Sequence, residues 1–264
     1  MKIIVKGVKS MNNICLYDDG KHKYYLLGWE ETEDPNMVPT NQYLIIHENK
    51  GFLLDPGGAH VFPRVLANVS EIIAPENIEG IFYSHQDPDV SSGITMWLTI
   101  ASRAKIYISE LWIRFLPHFG VFDKNRIVGL KDRGEKGVRF SGYTLDFVPA
   151  HFLHAPGHFN VYDPISKILF SGDIGVSLLP FSQRVQIYEG EFKNLVSAME
   201  GFHKRYMTSN AACKIWVDRV SEYEIYMIAP QHGAVLKGNV VKEFLKWFKT
   251  LKCGSDIIEQ FYGR

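Results

Sequence analysis

The sequence predicts an α/β fold in which helices cover β-sheets. Three observations carry that reading. Short β-rich segments separated by polar turns fill the first part of the chain, apolar strand segments then alternate with helical periodicity, and no repeat, low-complexity tract or linker divides it. All 264 residues are therefore expected to form one domain.

The elements follow in order. Ile3 to Val5, Asn13 to Tyr17 and Lys23 to Gly28 read as strands, the last two parted by the turn sequence Asp18-Asp19-Gly20. Tyr43 to Ile46 and Phe52 to Leu54 flank Glu48-Asn49-Lys50-Gly51, which reads as a hairpin turn. Val61 to Val69 is helical, Gly80 to Tyr83 an apolar strand, Gly93 to Ala104 helical, and Lys105 to Ile108 a strand again. Tyr143 to Val148 and Ile168 to Phe170 are further strands. Phe192, Leu195, Val196, Met199 and Phe202 recur at helical spacing, as do Val240, Val241, Phe244, Leu245, Phe248 and Leu251, and both stripes are expected to pack the core. Asn239 is placed to cap the last helix, and Gly254 lies just past its end.

Composition narrows the function classes. Hydrophobic residues make up 46% and charged residues 22%, a globular balance that argues against disorder. The 29 Lys and Arg balance 29 Asp and Glu, so the chain lacks the basic excess of a nucleic-acid binder. Cys15, Cys213 and Cys253 are widely spaced and form no Cys-x-x-Cys. That pattern is neither a disulfide framework nor a thiolate zinc site, and it reads as three reduced thiols of a cytoplasmic protein. The apolar run at the N-terminus is too short for a signal peptide, and the run from Ile94 to Ile108 is broken by Arg103 and Lys105. No membrane association is expected.

The chemistry lies at strand ends. Ser84-His85-Gln86-Asp87-Pro88-Asp89 follows the apolar strand Ile81 to Tyr83 and offers three ligand types at alternate positions of a turn. His154 follows the strand-like stretch Thr144 to Phe152, Asp173 follows Phe170-Ser171-Gly172, and His232 follows Tyr226-Met227-Ile228 through Ala229-Pro230-Gln231. Taken singly, each also fits a turn, a helix cap or a hydrogen-bonded core residue. Four clusters of the same form point together to a site on one edge of the sheets.

In that order, His-x-Asp-x-Asp, His154-Ala-Pro-Gly, Ser-Gly-Asp173 and His232-Gly resemble the metallo-β-lactamase superfamily. Asn41 to Ile45 and Leu53-Leu54-Asp55-Pro56-Gly57 are similar to its first hairpin, so the resemblance runs from about Asn41 to His232. It implies an αββα four-layer sandwich with a two-metal site between the sheet edges. Within the superfamily the pattern resembles the flavodiiron branch, because Asp87 stands where hydrolases carry His. Carried over residue by residue, the resemblance gives one iron His85, Asp87 and His154, the other iron Asp89 and His232, and makes Asp173 the bridge. The branch has a further His directly after Asp89, and this sequence has Val90 there, so the second metal is expected to be under-coordinated or completed by water.

The ligand types agree with iron. Three carboxylates with three imidazoles are harder and more oxygen-rich than a zinc hydrolase set. Two ferrous ions bring about +4, and three Asp with one hydroxide bring about −4, leaving a near-neutral site open to a small uncharged ligand. Among neighbours, Asp55 stands where the superfamily often places a supporting acid. Tyr83 is a candidate hydrogen-bond donor to bound oxygen, and His158 with His151 brackets His154. His22, His47, His60, His118 and His203 receive no role.

Flavodiiron reductases carry a flavodoxin-like domain after the lactamase-like one. No such segment is expected between the final helix and Arg264, hence no FMN in this chain. Four-electron reduction of dioxygen needs more than the two electrons of two ferrous ions. The resemblance therefore implies binding over turnover, with the metals oxo-, hydroxo- or peroxo-bridged. Tyr83 to Gly93 is particularly similar to the stand-alone oxygen-binding di-iron proteins of spirochaete chemotaxis. That likeness implies an oxygen or iron sensor read by a chemotaxis histidine kinase or receptor complex, and it allows a homodimer. Two other readings stay open: an O2 or NO reductase served by an external donor, and a zinc hydrolase, against which Asp87 and Val90 count.

Overall fold

The computed structural model describes residues 13–28 and 38–263, and the expected strand Ile3 to Val5 lies outside them. Fourteen strands form two seven-stranded sheets. In the first, β1 (Ile14–Asp18), β2 (His22–Leu26), β3 (Tyr43–His47), β4 (Lys50–Leu54), β5 (Ile78–Phe82), β6 (Lys105–Ser109) and β7 (Ile127–Leu130) lie side by side in chain order. The second comprises β8 (Glu135–Phe140), β9 (Tyr143–Pro149), β10 (Phe159–Asp163), β11 (Ile168–Gly172), β12 (Ile187–Tyr188), β13 (Met227–Pro230) and β14 (Val235–Lys237). Its order across the sheet is β12-β14-β13-β11-β10-β9-β8.

Side chains alternate across each strand, and that alternation builds the layers. Tyr43 and Ile45 of β3 and Phe52 and Leu54 of β4 point between the sheets, where they meet Phe147, Phe159 and Phe170 of the second sheet. Leu44, Ile46 and Leu53 point the other way, onto α1 (Phe62–Ile72), α2 (Pro88–Ser91) and α3 (Ile94–Ile100) through Val65, Val90 and Trp97. A short α4 (Glu110–Ile113) follows β6. On the far side, Val148, Leu169 and Ile228 of the second sheet pack against α5 (Val196–Tyr206), α6 (Asn210–Val220) and α7 (Asn239–Thr250), and α8 (Ile258–Tyr262) ends the described chain. The order helix, sheet, sheet, helix is the αββα sandwich. Among the described residues no helix is long and apolar enough to cross a membrane.

Several local expectations are corrected. The hairpin turn is only Glu48-Asn49, with φ of 46° and 67°, while Lys50 and Gly51 already belong to β4. Two positive φ values give the turn the twist that joins adjacent strands. The helix expected to reach Ala104 stops at Ile100, where Ala101 caps it. Gly238, not Asn239, is the N-cap of α7, because the sharp exit from β14 needs its φ of +67°, and the Asn239 amide instead donates to Glu243. Gly254 opens a 3-10 turn and does not end α7, which closes at Thr250.

Buried polar contacts join the two sheets, among them the Tyr43 hydroxyl donating to the Pro230 carbonyl at 2.7 Å. His22 of β2 donates from Nε2 to Asp163 Oδ2 of β10 at 2.8 Å, and both residues are fully buried. Ile165 N–H and the Ser166 hydroxyl also donate to that carboxylate. Asp163→Ala strands these donors in the interior and is expected to cost about 3–5 kcal/mol. A drop in Tm of about 10 °C in thermal unfolding checks this. A shift below about 2 °C would mean the contact contributes little.

The topology gathers the chain's chemistry at one edge. β4 and β5 run parallel, as do β11 and β13. β9 pairs antiparallel with β10, and β10 antiparallel with β11, so β9 also runs parallel to β11. Within each sheet these strands therefore open their C-terminal ends on one side, where irregular segments can diverge and leave room for a site.

Candidate metal centre

The groups come from the segments that follow five strand ends. Asp55 follows β4, His85 and Asp87 follow β5, Asp89 lies in α2, His154 follows β9, Asp173 follows β11 and His232 follows β13. Pro88 starts α2 directly after Asp87, and so sets the turn between the two carboxylates. Gly172 has φ of +54°, and a Cβ there would run into the His158 imidazole. This explains the Ser-Gly-Asp sequence: the backbone passes too close to His158 for any other residue. His154, at φ +76°, and Asp55, at φ +40°, are held in the left-handed region without being glycine. Such conformations cost about 1–3 kcal/mol each and persist where surrounding structure fixes them.

The six expected residues converge. His154 Nε2 lies 2.8 Å from Asp87 Oδ2, and His85 Nε2 lies 3.7 Å from the same oxygen. Ligand atoms of His85, Asp87 and His154 all fall within 4.8 Å of one another. On the other side His232 Nε2 lies 3.4 Å from Asp89 Oδ2. Asp173 stands between the two groups. Its Oδ2 is 3.6 Å from His154 and 4.0 Å from His85, and its Oδ1 is 3.6 Å from His232. Asp173 is 3% exposed, and its Oδ1 has no hydrogen-bond partner. A buried carboxylate oxygen without a donor is costly unless a cation lies against it.

Electrostatics match. Burial alone would push His85 down, but Asp173, Asp87 and Asp55 outweigh it and hold its imidazole up at about 9. The hydrogen bond from His154 and the nearby His85 imidazole hold Asp87 well below the usual carboxylate range. Burial pushes Asp173 up, and His85, His232 and His154 overcome this and bring it down. His85, held protonated in this way, acts as a counter-charge to the carboxylates, a role that a metal takes over when it displaces that proton.

Contacts behind these groups fix which nitrogen is presented. The Ser84 hydroxyl and N–H both donate to Asp55, and Ser84 Oγ in turn accepts from His85 Nδ1 at 2.9 Å. His232 Nδ1 donates to the Pro39 carbonyl at 3.0 Å. Both rings therefore turn Nε2 toward the carboxylates, an arrangement typical of metal-binding histidines. Burial, with Ser84 and His85 opposing it, raises Asp55 to about 7. Ser84→Ala removes the link between Asp55 and His85, and is expected to weaken metal affinity about 10–100-fold. A competition titration with a chelator of known affinity measures this, and a change under twofold would remove the relay from the site.

The other expected neighbours lie as follows. His158 is buried against His85 with ring centroids 5.3 Å apart and donates from Nδ1 to the Leu153 carbonyl. Burial and then His85 lower it to about 3, so it is neutral. Val90 is buried in the apolar cluster on the helix side of the first sheet. Tyr83 packs in that same cluster, and its hydroxyl has no hydrogen-bond partner there. His151 turns away and meets the Asp132 carbonyl at 2.7 Å. Three residues given no role in the sequence also support the site. Ser84 links Asp55 to His85. His203, neutral and lowered to about 4 chiefly by burial, accepts the Gly175 N–H at 3.0 Å and so steadies the turn after Asp173. Tyr206 lies against His154 with centroids 5.4 Å apart. Tyr206 stands four residues past Phe202 on the helical stripe, which is the one signal that could have found it.

Residues 38–233 match the family model described as ODP family beta lactamase. The chain belongs to this family. Among solved structures, the peroxy diiron species of chemotaxis sensor ODP is 45% identical, with a TM-score of 0.83 over 95% of this chain and 99% of that one. The apo state of chemotaxis sensor ODP from T. denticola is 44% identical, with a TM-score of 0.82 over the same shares. A mutant flavo di-iron protein from Thermotoga maritima shares the fold, with a TM-score of 0.75 at 22% identity, over 90% of this chain and 60% of that one. Among curated relatives, an uncharacterized protein of Methanocaldococcus jannaschii is 26% identical over 78% of this chain and 52% of its own length. Diflavin flavoprotein A 1 of Synechocystis sp. is 31% identical over 53% of this chain and 24% of its own. The chain thus spans about half or less of these two curated relatives. The ODP-family match covers every residue of the convergent set, from Asp55 to His232.

Proposed function

We propose that this ODP-family chain is a non-haem di-iron protein that binds dioxygen and reports it to a chemotaxis signalling complex. The observation that carries the reading is Asp173, buried between two groups of ligand-type side chains with one oxygen toward each. The 45% identity to the peroxy diiron chemotaxis sensor supports the choice of iron and of dioxygen. The residues fit the metals by type: His85, Asp87 and His154 would hold one, Asp89 and His232 the other, and Asp173 would join them. When bound, two ferrous ions supply two electrons and open coordination positions for dioxygen.

The chain's own residues do the rest. Asp55 and Ser84 keep the proton of His85 on Nδ1, and Pro39 does the same for His232. Phe202 and Tyr206 cover His154 from the helix side. The signalling partner on this reading is a histidine kinase or receptor complex that distinguishes the oxygen-bound state from the reduced one.

An oxygen electrode separates sensing from turnover. With iron-loaded protein and excess reductant, uptake should stop after about one dioxygen per iron pair. Continued uptake would replace the sensor reading with that of a reductase.

Val90 offers a second check. It stands where the flavodiiron pattern places a His, and it is buried in an apolar cluster next to Asp89. Val90→His is expected to shorten the lifetime of the oxygen-bound spectrum several-fold, read by stopped-flow absorbance. An unchanged lifetime in folded protein would leave Val90 a packing residue only.

A further inference from the structure

We propose that Cys213 and Cys253 form a reversible dithiol–disulfide pair that is oxidised by hydrogen peroxide. Cys213 lies on α6 and Cys253 on the segment after α7, 40 residues apart in sequence, yet their sulfurs stand 3.7 Å apart. A disulfide has sulfurs about 2.05 Å apart, so about 1.6 Å of approach completes the bond. Side-chain rotation on two neighbouring elements can supply that movement.

The two sulfurs are not equivalent. Cys253 opens the 3-10 turn Gly254–Ile257, and its sulfur accepts the N–H of Asp256, whose carboxylate accepts the Cys253 N–H at 3.1 Å. The Asp256 N–H divides between that sulfur and the Cys253 carbonyl, and the two sulfurs share one S–H that either can donate. With Cys213 as the donor, Cys253 accepts from both Cys213 and Asp256, an arrangement that favours its thiolate and makes it the attacking nucleophile. The hydrogen bond from Cys213 lowers Cys253 from the ordinary thiol range, and the same contact raises Cys213.

Access and isolation both fit a redox pair. Cys253 is itself buried but is flanked by exposed Lys252, Ser255 and Asp256, so opening of one short turn admits a molecule as small as peroxide. Among the described residues the group that could hold a metal with three ligands is His85, Asp87 and His154, and neither cysteine belongs to it. Cys15, exposed on β1, stands far from the pair in sequence and lies on the other sheet.

The step balances in two displacements. The Cys253 thiolate attacks one peroxide oxygen, an S–O bond forms, the O–O bond breaks, and hydroxide leaves and takes the Cys213 proton as water. The Cys213 thiolate then attacks the Cys253 sulfur, the S–S bond forms and the S–O bond breaks. The departing hydroxide takes up a proton as a second water. Peroxide is reduced by two electrons, and the dithiol is oxidised by two. A small-molecule dithiol reverses it.

The consequence reaches toward the candidate metal centre. Ser255 donates to the Thr208 carbonyl, Thr208 N–H donates to Phe152, and Met207 pairs with Leu153, next to His154. Drawing Cys253 toward α6 therefore pulls on the segment that carries His154.

The test is a thiol count on the full chain. The protein is kept in chelator, treated with a few-fold excess of hydrogen peroxide, quenched, denatured and alkylated. Three thiols react before treatment, and one, Cys15, should react after it. The intact mass should fall by about 2 Da before alkylation, and a non-reducing digest should yield one cross-linked peptide joining Cys213 to Cys253, lost on adding dithiothreitol. In Cys213→Ser, a sulfenic acid at Cys253 should be trapped by dimedone. Should that variant fail to fold, the wild-type digest decides alone. Three reactive thiols after treatment, oxidation confined to Cys15, or separate over-oxidation of the two buried sulfurs without a cross-link would each overturn the proposal.

Discussion

Replacing Asp173 with asparagine is expected to lower bound iron from two per chain to less than one. The amide keeps the shape of the carboxylate, so packing at this buried position is preserved. What changes is chemistry. The carboxylate directs one oxygen toward His85 and His154 and the other toward His232. An amide offers a single oxygen and sets two N–H donors where the second group needs an acceptor. It also removes the one negative charge shared by both groups. Loss of a supporting contact alone weakens metal binding about 10–100-fold, and loss of a shared ligand should exceed that for each ion. Metal analysis after anaerobic loading and desalting measures the outcome, with circular dichroism to confirm folding. Two irons retained at wild-type affinity would remove Asp173 from the centre.

The second large effect is on pH. His85 is held up at about 9 by carboxylates that outweigh its burial, against an ordinary value of 6.5. A metal must displace that proton, so apparent ferrous affinity should rise about tenfold per pH unit between roughly 6.5 and 9. From pH 6.5 to 8.5 that amounts to about 100-fold. In the metal-free protein the sign reverses. The native state binds the proton more tightly than the unfolded chain, so His85 contributes stability below pH 6.5 that is lost as pH rises through about 9. Asp55, raised from 3.8 to about 7 chiefly by burial, acts in the same direction, with its contribution lost as pH climbs through about 7. Below pH 6.5 the depressed His158 and His203 oppose this trend, so it is between about pH 6.5 and 9 that metal-free protein should melt at lower temperature as pH rises, while metal-loaded protein gains. Calorimetry in buffers of different ionisation enthalpy counts the released protons. An affinity constant within threefold across the range would contradict this charge arrangement.

The features written into short stretches of sequence were legible. His85, Asp87, Asp89, His154, Asp173 and His232 each follow or adjoin an apolar strand, and a strand that ends in Gly, Pro, His or Asp says where its backbone leaves the sheet. The αββα order was legible once those clusters were read as a series. Partners distant in the chain were not. The His22–Asp163 contact spans 141 residues, and nothing near His22 announces it. Ser84 looks like any turn serine until Asp55 is folded against it. His203 sits among helical residues, and its role at Gly175 comes only from the packing of α5. The two cysteines looked isolated at 40 residues apart, and the turn after α7 brings them together. Helix boundaries also slipped where backbone geometry overruled composition, as when Gly238 took the cap position for which Asn239 has the better side chain.

Anaerobic loading with ferrous iron, followed by one addition of oxygen while the visible spectrum is recorded, tests the central claim most directly. Two irons per chain and a charge-transfer band that persists for minutes after oxygen is added are expected of a protein that captures oxygen and holds it. Failure to bind two irons, or no oxygen-dependent band in protein that has bound them, would contradict the account.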